Sequence, residues 1–213
     1  MEAVIFDLDG VLVDSEKLWD EVRRDVVAEH GGTWLPDSTR VQQGMSTQEW
    51  ASYLVNTLGA QLTPDEIARV VIDRMAERYE AGPPVIAGAP DVVRTVARRY
   101  PVAIASSSPP VLIQAFLHAS DLTSLVPVAV SSEEVGAGKP APDVYLRAAR
   151  LLDVPAENSA AVEDSTNGLR AALAANMTVY AVPNPHFPPD PEVVAKVTAV
   201  VNDINELPAA LGL

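Results

Sequence analysis

The chain contains no cysteine, which excludes disulfides and thiolate metal centres and leaves oxygen and imidazole as metal ligands. Aromatic residues make up only 5% of the 213 residues, and 15 basic residues face 29 acidic ones, for a formal net charge of −14. Affinity for nucleic acid rests on Lys and Arg neutralising phosphates, so this balance argues against such a partner. No apolar run approaches the ~20 residues of a membrane span. The amino terminus reads as a core strand rather than a signal peptide. A soluble cytoplasmic protein without a membrane partner, monomeric or weakly homo-oligomeric, is the expectation. With 48% hydrophobic and 21% charged residues, the chain can build a sizeable core as one large domain or as a main domain with a smaller insertion.

What is present is concentrated at the start, where Ala3-Val4-Ile5-Phe6 delivers Asp7-Leu8-Asp9-Gly10. Side chains alternate along a strand, so carboxylates at i and i+2 emerge on one side as the strand gives way to a Gly-permitted turn. One can attack phosphorus while the other handles the proton of the leaving group and then of water. Two anions this close repel each other and a phosphate dianion, which calls for a divalent cation. Mg2+ fits best, since it takes hard oxygen ligands and keeps waters. A bare D-x-D is more often an acidic turn, so the surroundings decide.

After Asp14, Leu18, Val22, Val26 and Val27 recur at helical spacing until Gly31-Gly32. Two further helical stretches follow at 47–58 and 64–79, the second with Thr63 as N-cap, before Gly82-Pro83-Pro84 breaks the chain. Residues 15–82 therefore read as an all-helical cap, inserted into an α/β core formed by 1–14 and 83–213. Beyond Gly88, short β-branched runs at 102–105, 126–130, 160–162 and 179–182 alternate with amphipathic helices, and 183–191 is a Pro-rich loop. This pattern predicts a doubly wound parallel sheet built from right-handed crossovers.

Ligands of such sheets sit beyond the carboxyl ends of the strands. The second strand ends in Ser106-Ser107-Ser108 before Pro109-Pro110, offering hydroxyls, N–H groups and a helix N-terminus to phosphoryl oxygens. After the third comes Gly136-Ala137-Gly138-Lys139-Pro140, whose ammonium can neutralise a phosphate; Lys17 and Lys196 are the other lysines. The fourth runs into Glu163-Asp164-Ser165, two acids able to bind a cation opposite Asp7, with Ser165 as helix cap. Each segment alone also reads as an ordinary cap or solvated loop.

Taken in order, the four segments resemble the signature of the haloacid dehalogenase superfamily of phosphohydrolases, over essentially the whole chain. The insertion is similar to the small helical cap of its beta-phosphoglucomutase and phosphoglycolate phosphatase branch. The resemblance implies Asp7 as the nucleophile that forms an aspartyl phosphate and Asp9 as general acid and base. It implies Ser106, with Ser107 beside it, and Lys139 as ligands of the phosphoryl group. Mg2+ would be held by the Asp7 carboxylate, the Asp9 backbone carbonyl and Asp164, with Glu163 coordinating directly or standing one layer behind. The implied activity is magnesium-dependent hydrolysis of small phosphorylated metabolites, sugar phosphates first.

Mutases of this branch carry a His in the first cap helix and an Arg in the following loop. Counting from D-x-D places Trp19 near the first position and Thr47 at the second. That departure favours hydrolysis and leaves a phosphosugar mutase as the alternative. The run Asp14-Ser15-Glu16-Lys17-Leu18-Trp19-Asp20 looks like the sugar-phosphate phosphatases. Trp19, Gln43, Met45 and Thr47 are the cap candidates for substrate contact, and Arg74 and Arg78 are the helix cations that could face it. Asp9 argues against a dehalogenase, which lacks the second acid, and Lys17 as the one cap lysine argues against phosphonate chemistry. A non-catalytic phosphoacceptor of the receiver type keeps its leading acids adjacent and lacks the insertion. His30, His118 and His186 show no ligand spacing.

Overall fold

The computed structural model describes residues 1–42, 45–185 and 187–213; Gln43, Gly44 and His186 lie outside the described residues. All four residues of β1 (Ala3–Phe6) are buried, because this strand lies inside the sheet with both faces covered. It is flanked by β2 (Val102–Ser106) and β4 (Ser159–Glu163), with β3 (Val128–Ser131), β5 (Thr178–Ala181) and β6 (Ala199–Val200) outside them. Among the described residues the order is β3-β2-β1-β4-β5-β6, every pair parallel. The doubly wound α/β architecture expected from the sequence is the one observed. The third strand starts two residues later than its apolar run, since the Val126 N–H turns back to the Leu122 carbonyl at 2.9 Å. The two-residue β6 is too short to leave a periodic signal.

Between Asp14 and Gly82 the chain forms α1 (Glu16–Glu29), α2 (Ser38–Val41), α3 (Thr47–Asn56) and α4 (Pro64–Glu80). Capping boxes open α3 (Ser46 with Glu49) and α4 (Thr63 with Glu66), each cap contributing about 1 kcal/mol. Core helices follow as α5 (Ala89–Ala97), α6 (Pro110–Ala119), α7 (Asp143–Leu151) and α8 (Thr166–Ala174), with single turns at Pro191–Val194 and Leu207–Ala210.

Alternation along β1 sorts its side chains between two cores. Val4 and Phe6 join the cluster that holds Val92 and Val96 of α5 and Leu112 and Phe116 of α6. Ile5 joins the opposite cluster, with Val144 and Tyr145 of α7 and Leu169 of α8. Trp19, Val22, Trp50, Leu54, Ile67 and Met75 of the helical segment belong to the first cluster, so that segment shares an apolar core with one face of the sheet. The chain enters and leaves it side by side: the Asp14 N–H donates to the Pro84 carbonyl at 2.8 Å and the Ile86 N–H to the Leu12 carbonyl at 3.0 Å.

Candidate active site

The strand order reverses between β1 and β4, the place where ligands bind in open α/β sheets. Asp7 follows β1 directly, its N–H extending the ladder to the Val162 carbonyl at 2.9 Å. Gly10 then turns the chain at φ +82°, and a Cβ there would lie 1.9 Å from Asp164 Oδ2. Only glycine meets both demands, and the absent side chain lets the two acid-bearing segments approach.

Lys139 is buried between two acids. Its ammonium donates to Asp7 Oδ1 at 2.6 Å, to Glu163 Oε1 at 2.5 Å and to the Ala105 carbonyl at 3.1 Å, which occupies all three of its protons. Glu163 is saturated as well: Oε1 also accepts from the Tyr145 hydroxyl at 2.9 Å, and Oε2 from the Asp164 and Ser165 N–H groups and the Ser165 hydroxyl. Glu163 thus anchors the lysine and the β4–α8 turn. Gly168 lets α8 close over it, since a Cβ there would fall 1.8 Å from Glu163 Oε1. The paired acids hold Lys139 above the usual lysine range despite its burial.

Asp9 is gripped by serines. Its Oδ2 accepts from the Ser108 hydroxyl at 2.6 Å and from Ser106 at 3.3 Å, and its Oδ1 from the Ser15 hydroxyl. The Ser106 hydroxyl, expected from the sequence to bind the phosphoryl group, sits beside Asp9. That hydroxyl is fully buried, accepts from the Ser108 N–H at 3.0 Å, and does not line the cleft. Ser107 and Ser108 line it, and Ser107 makes no side-chain hydrogen bond to a described residue. Ser15 and Ser108 stand 6 and 99 residues from Asp9, separations that carry no periodic signal in the sequence.

Carboxylate oxygens of Asp7, Glu163 and Asp164 lie within 4.8 Å of one another. Burial chiefly, then the neighbouring acids, pushes Asp7 and Asp164 well above the ordinary carboxylate range, with Lys139 pulling the other way. Two buried acids that need a positive charge to ionise, with oxygens this close together, suit a hard divalent cation. Glu163 fits that role least, both its oxygens being already engaged.

The cleft, of about 80 Å³, is closed on its other side by the helical segment through Glu16, Trp19, Arg23, Met45, Thr47 and Trp50. Thr47 donates to Glu133 at 2.6 Å, while Trp19 packs against Trp50 with centroids 6.2 Å apart. Gln43 is outside the described residues. Arg74 and Arg78 do not line the cleft: Arg74 makes a bidentate pair with Glu29, and Arg78 is exposed. The cap cation that faces it is Arg23, whose guanidinium carbon lies 4.7 Å from the Trp19 ring centroid and 4.9 Å from that of Trp50. Its position four residues after Trp19 on one helix face was the sequence signal available for it.

A family model described as haloacid dehalogenase-like hydrolase matches residues 1–176. Hexitol phosphatase B of Escherichia coli (strain K12) is 34% identical over 199 residues, covering 90% of this chain and 88% of its own. The phosphorylated carbohydrates phosphatase of Thermotoga maritima is 31% identical over 186 residues, 85% of each chain. The crystal structure of CbbY from Rhodobacter sphaeroides in complex with phosphate superposes with a TM-score of 0.86 at 26% identity, covering 100% of both chains. With the acid, serine and lysine segments converging at the carboxyl ends of β1, β2 and β4, the chain belongs to the haloacid dehalogenase-like hydrolase family and is an enzyme of the phosphatase type.

Proposed function

We propose that the protein is a magnesium-dependent phosphatase of small sugar phosphates that works through an aspartyl phosphate on Asp7. The observation that carries this reading is the convergence of Asp7, Lys139 and Asp164 in one buried cluster, with Asp9 lining the same cleft. Relatives that act on hexitol phosphates and phosphorylated carbohydrates support the substrate class. Zero cysteines suit a cytoplasmic site of action.

Asp7 and Asp164, with the Asp9 backbone carbonyl, would hold Mg2+. The bound ion would neutralise the acids and the developing phosphoryl charge. Asp7 attacks phosphorus as the ester P–O bond breaks, and Asp9, protonated in that step, gives its proton to the departing alkoxide. The Asp9 carboxylate then takes a proton from water, whose oxygen attacks the acyl phosphate, releasing phosphate and restoring Asp7. Lys139, ready-charged beside Asp7, stabilises the equatorial oxygens, and Ser107 with the α6 N-terminus supplies further donors.

The test is phosphate release from a panel of sugar phosphates, polyol phosphates and nucleoside monophosphates, with magnesium or chelator. Release that requires magnesium and favours a sugar or polyol phosphate is expected; chelator-insensitive release would refute the mechanism. A mutase needs a cap cation for a second phosphate, and Arg23 provides one. Isomerised hexose phosphate without net phosphate release is the outcome that selects that second reading.

A further inference from the structure

Arg23 combines features that an ordinary surface arginine lacks. Its guanidinium stacks near two indole rings, its Nε is buried without an acceptor, and it makes no ion pair within 4.0 Å among the described residues. Arg24, Arg40 and Arg74 of the same segment are each paired with a carboxylate, and Arg69 and Arg78 are exposed. Burying a cation without a counter-charge is costly, and aromatic faces offset only part of that cost. Glu16 and Asp20 act on it electrostatically from beyond ion-pair distance. The two rings crowd adjacent sides of the guanidinium, whose planar fork of N–H donors matches a planar anion.

Asp7 and Lys139, assigned above to the reacting phosphoryl group, line the cleft from the core side, whereas Arg23 lines it from the cap side. The guanidinium therefore meets the other end of whatever is bound. We infer that Arg23 is a specificity residue for phosphate esters whose non-reacting end carries a second anionic group, a carboxylate or a phosphate. This inference rests on the phosphatase reading for its substrate and on Arg23 alone for its selectivity.

The experiment compares matched esters that differ in that end: 3-phosphoglycerate against glycerol 3-phosphate, and fructose 1,6-bisphosphate against fructose 6-phosphate. The wild-type chain is expected to show a higher kcat/KM for the anion-ended member of at least one pair, which also tells carboxylate from phosphate. Arg23→Gln should lower that ratio about tenfold or more, with Arg23→Lys intermediate, because lysine keeps the charge and loses the fork. A wild-type preference for the neutral-ended members, or a ratio that Arg23→Gln leaves unmoved, overturns the inference. If Arg23→Gln does not fold, Arg23→Lys carries the comparison, and an unchanged ratio there overturns it. If the wild-type chain hydrolyses none of the four, the phosphatase reading is judged by the wider panel and Arg23 by binding. Calorimetric binding of the same esters to Asp7→Asn, with and without Arg23→Gln, then decides Arg23. A preference lost with Arg23 supports the inference, and equal binding refutes it.

Discussion

Tyr145 reaches Glu163 from α7, and its hydroxyl is one of five donors on that carboxylate. Burial and the adjacent acids raise it above the usual phenol range, so it stays a donor. Tyr145→Phe removes one hydrogen bond to a buried charged group and should cost about 1–3 kcal/mol. Urea unfolding of the metal-free chain measures this, and an unshifted midpoint would count against the anchoring role of Glu163. Lys139→Met goes further, leaving Asp7 and Glu163 buried without their cation, and should cost about 3–5 kcal/mol. Stability equal to wild type would mean the acids are compensated by some other charge.

At the level of elements, the turn between β1 and α1 decides whether the acids can assemble. Gly10→Ala places a methyl at positive φ and against Asp164, so Asp164 must swing away. The expected result is a magnesium titration of activity displaced to higher concentration; an unchanged titration would separate Asp164 from the metal. Thr47→Val removes the hydrogen bond from α3 to Glu133, and is expected to raise KM more than it lowers kcat if that contact helps close the cleft.

The elements themselves were legible in the sequence wherever their cause is local. Thr63 marks the start of α4, uninterrupted apolar runs mark the buried parallel strands, and D-x-D-G states its own turn. Contacts set by packing were not legible. Arg23 meets Trp50, which comes from another helix, as well as Trp19 of its own, and the first of these contacts has no signal in the sequence. The serines after β2 read in sequence only as donors to a phosphoryl group, and the contacts of Ser106 and Ser108 to Asp9 come from packing. The sequence leaves Glu163 either on the metal or one layer behind it, and its contacts with Lys139 and Tyr145, from distant segments, carry no sequence signal.

For the molecule as a whole, an excess of acidic residues (29 against 15 basic) coexists with a buried acidic cluster. Without metal, the folded chain keeps protons on Asp7 and Asp164 at pH values above 3.8, where unfolded aspartates have begun to lose theirs. The folded state then binds more protons, so its stability falls as pH rises from there through the raised folded pKa values. Metal binding to the ionised acids opposes this loss. Urea unfolding from weakly acidic to neutral pH should therefore show declining stability in chelator and a smaller decline in magnesium. Parallel curves would contradict the assignment of these acids to the metal.

Covalent catalysis by Asp7, with Asp9 moving the protons, is tested by trapping the intermediate in Asp9→Asn. That variant, given magnesium and a hydrolysed sugar phosphate, is predicted to accumulate one phosphoryl group on the peptide containing Asp7, detected by mass spectrometry after acid quench. Asp7→Asn should show neither label nor turnover. A label on another residue, or full turnover in Asp7→Asn, would contradict the account.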